Sequence, residues 1–156
     1  MAKTPETLRL ERELWQSTRK QGVFGCFEVT IGWFGSERVD YMTYDTKGIW
    51  RCYEIKVSVS DFKSNAKNTF IGHFNYYVMS QELYIKVKNE IASHIGVYVS
   101  GRCVKKPKKQ GLRVDESVLK NSLIRSLHRE AEKNLRRQKL SQSESWGGEA
   151  VEDEDT

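Results

Sequence analysis

At 156 residues, 38% hydrophobic and 30% charged, the chain is long enough to bury one core and has the composition of an ordinary globular domain. No apolar run approaches the roughly 18 residues of a membrane span, and the charged N-terminus MAKTPETLRLERELW lacks the apolar segment of a secretory signal. Three cysteines (Cys26, Cys52, Cys103) without CxxC spacing argue against a disulfide framework or a zinc site. They are expected as buried free thiols, in a cytoplasmic protein.

The net charge of +5 is unevenly spread. Arg102 to Lys139 holds thirteen Lys/Arg against four Asp/Glu, whereas residues 140–156 hold six acids and no base. The basic stretch suits phosphates, with a solvated helix face as the equal alternative. The organisation expected is one domain over 1–139, ending in a basic helix, and a disordered acidic tail over 140–156. That tail is expected to compete with DNA for the basic surface.

Thr4-Pro5-Glu6 is a helix start: a capping hydroxyl, a proline at the first helical position and an acid at the positive end of the dipole. The helix is expected to reach about Lys20, with Leu8, Leu10, Leu14 and Trp15 on a broad apolar face and Glu11 near its centre. A carboxylate there is costly unless it is paired or bound to a cation, the equal alternative being a surface Glu at a loosely drawn helix boundary. Val23 to Trp33 reads as a strand with Phe27, Val29, Ile31 and Trp33 on one side. Arg38 to Asp45 and Ile49 to Val57 read as a hairpin around Asp45-Thr46-Lys47-Gly48. Ser60 is expected to cap a helix over 61–70. A strand Asn75 to Met79, a helix Gln81 to Ile91 and a strand Ile95 to Val99 follow. An edge strand Cys103 to Lys106 and a helix from Asp115 or Ser117 towards Lys139 complete the order. That order describes an α/β (α+β) fold, a three-layer sandwich around a mixed sheet.

The chemistry concentrates in RVDYMTYDTKGIWRCYEIKVSVSDF. Strand alternation puts Glu54 and Lys56 on one face with Ile55 opposite, and the hairpin can bring Asp40 beside Glu54. Paired carboxylates suit a hard cation such as Mg²⁺, which polarises a phosphate and acidifies a bound water. Lys56 would orient that water or stabilise charge on phosphorus, and the Ile55 carbonyl would add an oxygen ligand. Alone, the Glu-x-Lys tripeptide is equally a solvated ion pair. The aromatics Phe74, Tyr76, Tyr77 and Tyr84 read as core residues, with a base-stacking platform as the lesser alternative. His73, placed at a helix end, reads as a packed or capping histidine.

Asp40, thirteen residues and then Glu54-Ile55-Lys56, on a helix–meander–helix–strand frame, resembles the PD-(D/E)XK nuclease superfamily of restriction-endonuclease-like fold, with its αβββαβ core. More narrowly, EIKVSVSDFKSNAK followed by FNYYVM resembles the MmcB-type DNA-repair-associated proteins and related phage-encoded nuclease-like proteins. The likeness spans Pro5 to about Pro107. It implies a Mg²⁺-dependent DNA nuclease, with Mn²⁺ able to substitute, in DNA repair, recombination or phage DNA metabolism. Asp40, Glu54 and Lys56 would be catalytic, and Asp40, Glu54, the Ile55 carbonyl and Glu11 would bind metal. Ser58, Asp61 and Lys67 match the adjoining motif and would support the site or contact DNA. Lys63 is a further DNA-contact candidate beside them, and Lys105, Lys106, Lys108 and Lys109 form an exposed basic turn for phosphates. Val39 stands in the motif's proline position, and Asn65 and Asn75 stand where the narrower group has acids. DNA is the expected partner, a homodimer is compatible with cutting both strands, and neither a membrane nor a small-molecule cofactor is expected. A catalytically inactive DNA-binding module, or a phage-encoded protein modulating a host enzyme, remain alternatives.

Overall fold

The computed structural model describes residues 3–35, 37–64 and 68–145, with side chains through 142. By contacts the chain divides into two units, Met1–Ser126 and Leu127–Thr156. The first unit holds every strand. In chain order it runs α1 (Pro5–Thr18), β1 (Val23–Thr30), β2 (Arg38–Asp45), β3 (Trp50–Ile55) and α2 (Val59–Lys63). Then follow β4 (Phe74–Val78), α3 (Gln81–Val87), β5 (Gly96–Val99), β6 (Arg102–Lys105) and the start of α4 (Glu116–Ser145).

The six strands lie side by side in sequence order. β1–β2, β2–β3 and β5–β6 are antiparallel, and β3–β4 and β4–β5 are parallel. On one face α1 supplies Leu10 and Leu14, packed with Tyr41, Tyr53, Tyr76 and Val78. On the other face Leu119 and Leu123 of α4 meet Val29, Val39, Met42, Trp50 and Cys52. Further along that face, Leu83 and Val87 of α3 meet Tyr77, Val97 and Val99, with Phe62 of α2 alongside. The unit is therefore a three-layer α/β sandwich around a mixed sheet. Leu119 is fully buried, so Leu119→Ala should cost about 2–5 kcal/mol in denaturant unfolding through the cavity it leaves.

Local chemistry explains the boundaries. Thr4 caps α1, its hydroxyl accepting from Thr7 N–H at 3.2 Å. Leu8 and Trp15 are exposed, because the inward stripe is Thr7, Leu10, Glu11, Leu14 and Thr18 at i, i+3, i+4 spacing. In the β2–β3 turn, the Asp45 carboxylate accepts from Lys47 and Ile49 N–H, and Gly48 takes φ +80. Three expectations need correction here. Ser58, not Ser60, caps α2, which is five residues long instead of ten, so His73 follows no helix. Cys103 is exposed, on the edge strand β6, whereas Cys26 and Cys52 are buried, neither in a disulfide. Phe27 and Val29 face opposite sides, since Glu28 at φ +55 breaks the alternation, and Trp33 lies beyond the strand in solvent.

The second unit, as described, is the remainder of α4, which carries ion pairs such as Lys133–Glu130 at 3.5 Å and Arg136–Glu132 at 4.0 Å. The helix reaches Ser145, six residues past Lys139; the next helix breakers in the sequence are Gly147 and Gly148. The remainder of the acidic tail, from residue 146, lies outside the described residues. Among the described residues, no helix is long and apolar enough to cross a membrane.

Candidate active site

The β2–β3 ladder runs from Tyr44↔Trp50 to Tyr41↔Tyr53. One step further, Asp40 stands opposite Glu54, and there the regular ladder stops. The Asp40 carboxylate replaces it, accepting from Ile55 N–H at 2.8 Å. Beyond β3 the chain keeps to the sheet through Lys56 N–H, which donates to Val78 O at 2.9 Å. Glu54 and Lys56 are both 5% exposed, an unusual pair of buried charged residues on one strand face.

Glu54 is held from two sides. Thr69 N–H donates to Oε1 at 3.1 Å, and the other contact is a hydrogen bond with Asp40. Burial pushes the Glu54 carboxyl up to about 9, helped by the Asp40 charge and by that hydrogen bond. The Thr69 amide and the charge of Lys56 act in the opposite direction. With its pKa raised in this way, the Glu54 carboxyl keeps its proton near neutral pH. A divalent cation can take the place of that proton, so the donor set fits a hard ion bound by Asp40, Glu54 and the Ile55 carbonyl. Mg²⁺ commonly needs only one or two protein carboxylates, with water and substrate phosphate completing its shell.

These groups line a cleft of about 670 Å³ with Thr30, Gly35, Glu37, Arg38, Asp61, Asn68 and Thr69. Two further cavities adjoin it. One, of about 350 Å³, shares Arg38, Asp40, Ile55 and Asp61 with the cleft and adds Lys3, Glu11 and Glu28. The other, of about 370 Å³, shares Glu37, Asn68 and Thr69 and adds His94, Gln110 and Arg113.

The remaining candidates divide by position. Glu11 lines the first adjoining cavity but is ion-paired with Lys3, which also reaches Glu28 at 3.3 Å. Among the described residues, no group of three or more His, Cys, Asp or Glu side chains is gathered to hold a metal. Ser58 and Asp61 bond each other's turn: Ser58 Oγ accepts from Asp61 N–H at 3.1 Å, and Asp61 accepts from Val57 N–H at 3.0 Å. They fix the chain just after Lys56. Lys63 is exposed and pairs with Glu90 at 3.6 Å; Lys67 lies outside the described residues.

Lys105 is not an exposed phosphate contact. Its ammonium donates to the carbonyls of Ala92 and Ile95, at 2.6 Å each, and so ties β6 to the turn before β5. Lys106, Lys108 and Lys109 are exposed and do not line the carboxylate cleft. Lys108 N–H donates to His94 O, which puts this turn beside the cavity containing His94 and Gln110.

Residue-type reasoning missed Arg38, Asn68 and Thr69. Arg38 precedes Asp40 on the same strand, and its position two residues away was a usable signal for a cation at the cleft. Asn68 and Thr69 lie in irregular chain where a helix was expected. Asn68 donates to the Tyr77 hydroxyl at 3.1 Å.

His73 serves the opposite end of β3, with Nδ1 accepting from Trp50 N–H at 3.0 Å. Burial and the Lys109 charge hold its pKa below the usual value of 6.5. The folded state therefore binds fewer protons than the unfolded chain, and this contribution to stability is full above 6.5 and lost as pH falls through the lower folded value. In His73→Asn, whose Oδ1 can stand in for Nδ1, thermal melts from pH 7 to 5 should lose that part of the pH slope.

Among solved structures, the chain is similar to a protein of unknown function, SPO1766 from Silicibacter pomeroyi. The two are 22% identical with a TM-score of 0.65, over 97% of this chain and 99% of that one. At that identity the likeness shows the fold alone. No protein-family model and no curated protein matches the chain. Fold and site together define a three-layer α/β domain in which half-buried Asp40 stands opposite buried Glu54, with buried Lys56 beside it, at the point where two strands part.

Proposed function

We propose that this chain is a Mg²⁺-dependent nuclease that hydrolyses DNA phosphodiesters in the cytoplasm, in DNA repair, recombination or phage DNA metabolism. The observation that carries the reading is the opposition of Asp40 and Glu54 in a cleft that also contains buried Lys56. The motif resemblance to PD-(D/E)XK nucleases supports it from the sequence side. Asp40, Glu54 and the Ile55 carbonyl would hold the cation. When bound, it would supply Lewis-acid polarisation of the scissile phosphate and a more acidic water.

The chain's own groups have separate tasks. Thr69 N–H and the Asp40–Ile55 bond fix the two carboxylates. Lys56, held by its burial beside Glu54, orients the attacking water or meets charge developing on phosphate oxygen. Arg38, on the cleft wall, is suited to a non-bridging oxygen. The adjoining cavity with Arg113, and the neighbouring Lys108 and Lys109, continue a path for the polynucleotide backbone.

A second reading has one observation in its favour: among the described residues no three His, Cys, Asp or Glu side chains are gathered closely enough to hold a metal. That reading is a DNA-binding module without catalysis. Incubating single-stranded, duplex, flap and junction DNA with Mg²⁺ or Mn²⁺ separates the two. The nuclease reading expects cleavage by the wild type that Glu54→Ala and Lys56→Ala both abolish. Binding without cleavage, indifferent to both substitutions, would leave only the second reading.

A further inference from the structure

The β1–β2 connection contains Gly32-Trp33-Phe34-Gly35, and its two aromatic side chains are turned to solvent. Trp33 is 72% exposed and Phe34 101%. Scattered exposed apolar residues are ordinary; two adjacent aromatics on a loop whose backbone is anchored are a different matter. Gly32 takes φ +77, a conformation that side chains resist. A Cβ on Gly35 would sit 1.7 Å from the Ile31 carbonyl oxygen, so the loop closes on itself only with glycine there.

The loop is also anchored from α4. Gly32 N–H donates to Ser122 Oγ at 3.0 Å, and Arg125 donates to Gly32 O at 2.8 Å. The Arg125 guanidinium lies 4.1 Å from the Trp33 ring centroid, which covers one face of the indole and leaves it exposed elsewhere. On the far side of the apex, Gly35, Glu37 and Arg38 are already walls of the cleft containing Asp40, Glu54 and Lys56. A pair of exposed aromatic surfaces, the first of them packed on Arg125, thus stands at the lip of a site suited to a polyanion.

Resting on the nuclease reading, we propose that Trp33 and Phe34 form a base-stacking wedge, and that the cleft takes DNA with unpaired bases next to the cut. Stacking on an aromatic face tolerates any base but needs one that is not already stacked within a duplex. The wedge keeps a splayed base beside the cleft while Arg38 and Lys56 meet the phosphate. An intact duplex gains nothing from it unless a base step is opened.

The test uses the full chain with Ca²⁺ in place of Mg²⁺ to hold the substrate uncut. Fluorescence anisotropy compares a labelled single-stranded 15-mer with a blunt duplex of the same sequence, for the wild type, Trp33→Ala, Phe34→Ala and the double variant. The expected result is at least about tenfold weaker binding of the single strand by the double variant, with duplex binding within about twofold of wild type. Unchanged melting temperatures would accompany it, since both side chains are in solvent. Equal losses on both probes, or unchanged single-strand affinity, would overturn the wedge while leaving carboxylate-dependent cleavage standing. Wild-type self-association that vanishes in the double variant, with single-strand affinity intact, would assign the pair to a protein contact and also overturn it. A wild type that binds neither probe would overturn the wedge and the nuclease reading together.

Discussion

Glu54→Gln is expected to raise the melting temperature of the metal-free protein by roughly 5–10 °C at pH 7 and to remove cleavage in the same molecule. The stability gain follows from the sign of the shift. A carboxyl held up at about 9 binds a proton in the folded state that the unfolded chain, near 4.5, has already released. Stability therefore falls as pH rises through the window from about 4.5 to about 9. At pH 7 the loss is on the order of 2–4 kcal/mol, and for a domain of this size each kcal/mol moves the melting point by about 2–4 °C. Gln lacks the charge but keeps both hydrogen bonds: its oxygen can accept from Thr69 N–H, and its amide can donate to Asp40. The difference between Gln variant and wild type should shrink towards zero near pH 5. Thermal melts in EDTA across that range check it; a Gln variant less stable than wild type at pH 7 would show that Glu54 is ionised and well satisfied in the fold. The loss of cleavage has a separate cause, since Gln retains one neutral oxygen where a cation needs a carboxylate.

Lys56→Met should lower the turnover rate by about 10²–10³-fold, the usual cost of removing one group that meets transition-state charge. Met is the informative replacement because Lys56 is 5% exposed and an unbranched apolar side chain can occupy the same space. Affinity for uncut DNA in Ca²⁺ should change far less than turnover, since a buried ammonium neutralises little of the backbone charge. A further signature follows from the Lys56 charge, which holds the Glu54 carboxyl lower than it would otherwise be. Without that charge Glu54 gives up its proton at higher pH, so residual activity should have its rising limb displaced to higher pH. Equal losses of affinity and turnover, with no displacement of the pH profile, would make Lys56 a binding residue instead.

The sheet and its helices were legible because their signals are local. Thr4-Pro5 starts α1, Asp45 to Gly48 turns β2 into β3, and β-branched and aromatic alternation marks the strands. Once the hairpin is placed, opposing Asp40 to Glu54 is a matter of counting back from the turn. Other features depend on contacts that no local pattern encodes. The positive φ of Glu28 reverses the facing of Phe27 against Val29, and residue type gives no hint of it. Lys105 looks like its lysine neighbours, yet the Ala92 and Ile95 carbonyls at the turn before β5 claim its ammonium. Thr69 contributes a backbone amide, which any residue carries, from a segment expected to be helical. Glu11 lies on the inward side of α1 as its helical phase suggested, and the partner described is Lys3, from a stretch too short to read. Trp33 continued a strand-like alternation, but Gly32 ends that pattern by turning the chain.

The proton carried by Glu54 gives the central claim its most direct test. Mg²⁺ is titrated calorimetrically into the protein and a non-hydrolysable phosphorothioate oligonucleotide at pH 7.5, in two buffers of different ionisation enthalpy. If Glu54 exchanges its proton for the metal, wild type should release about one proton per Mg²⁺ bound, and Glu54→Gln should release none and bind far more weakly. No Mg²⁺ binding by wild type, or binding with equal proton release by both proteins, would contradict a metal site at this carboxylate pair.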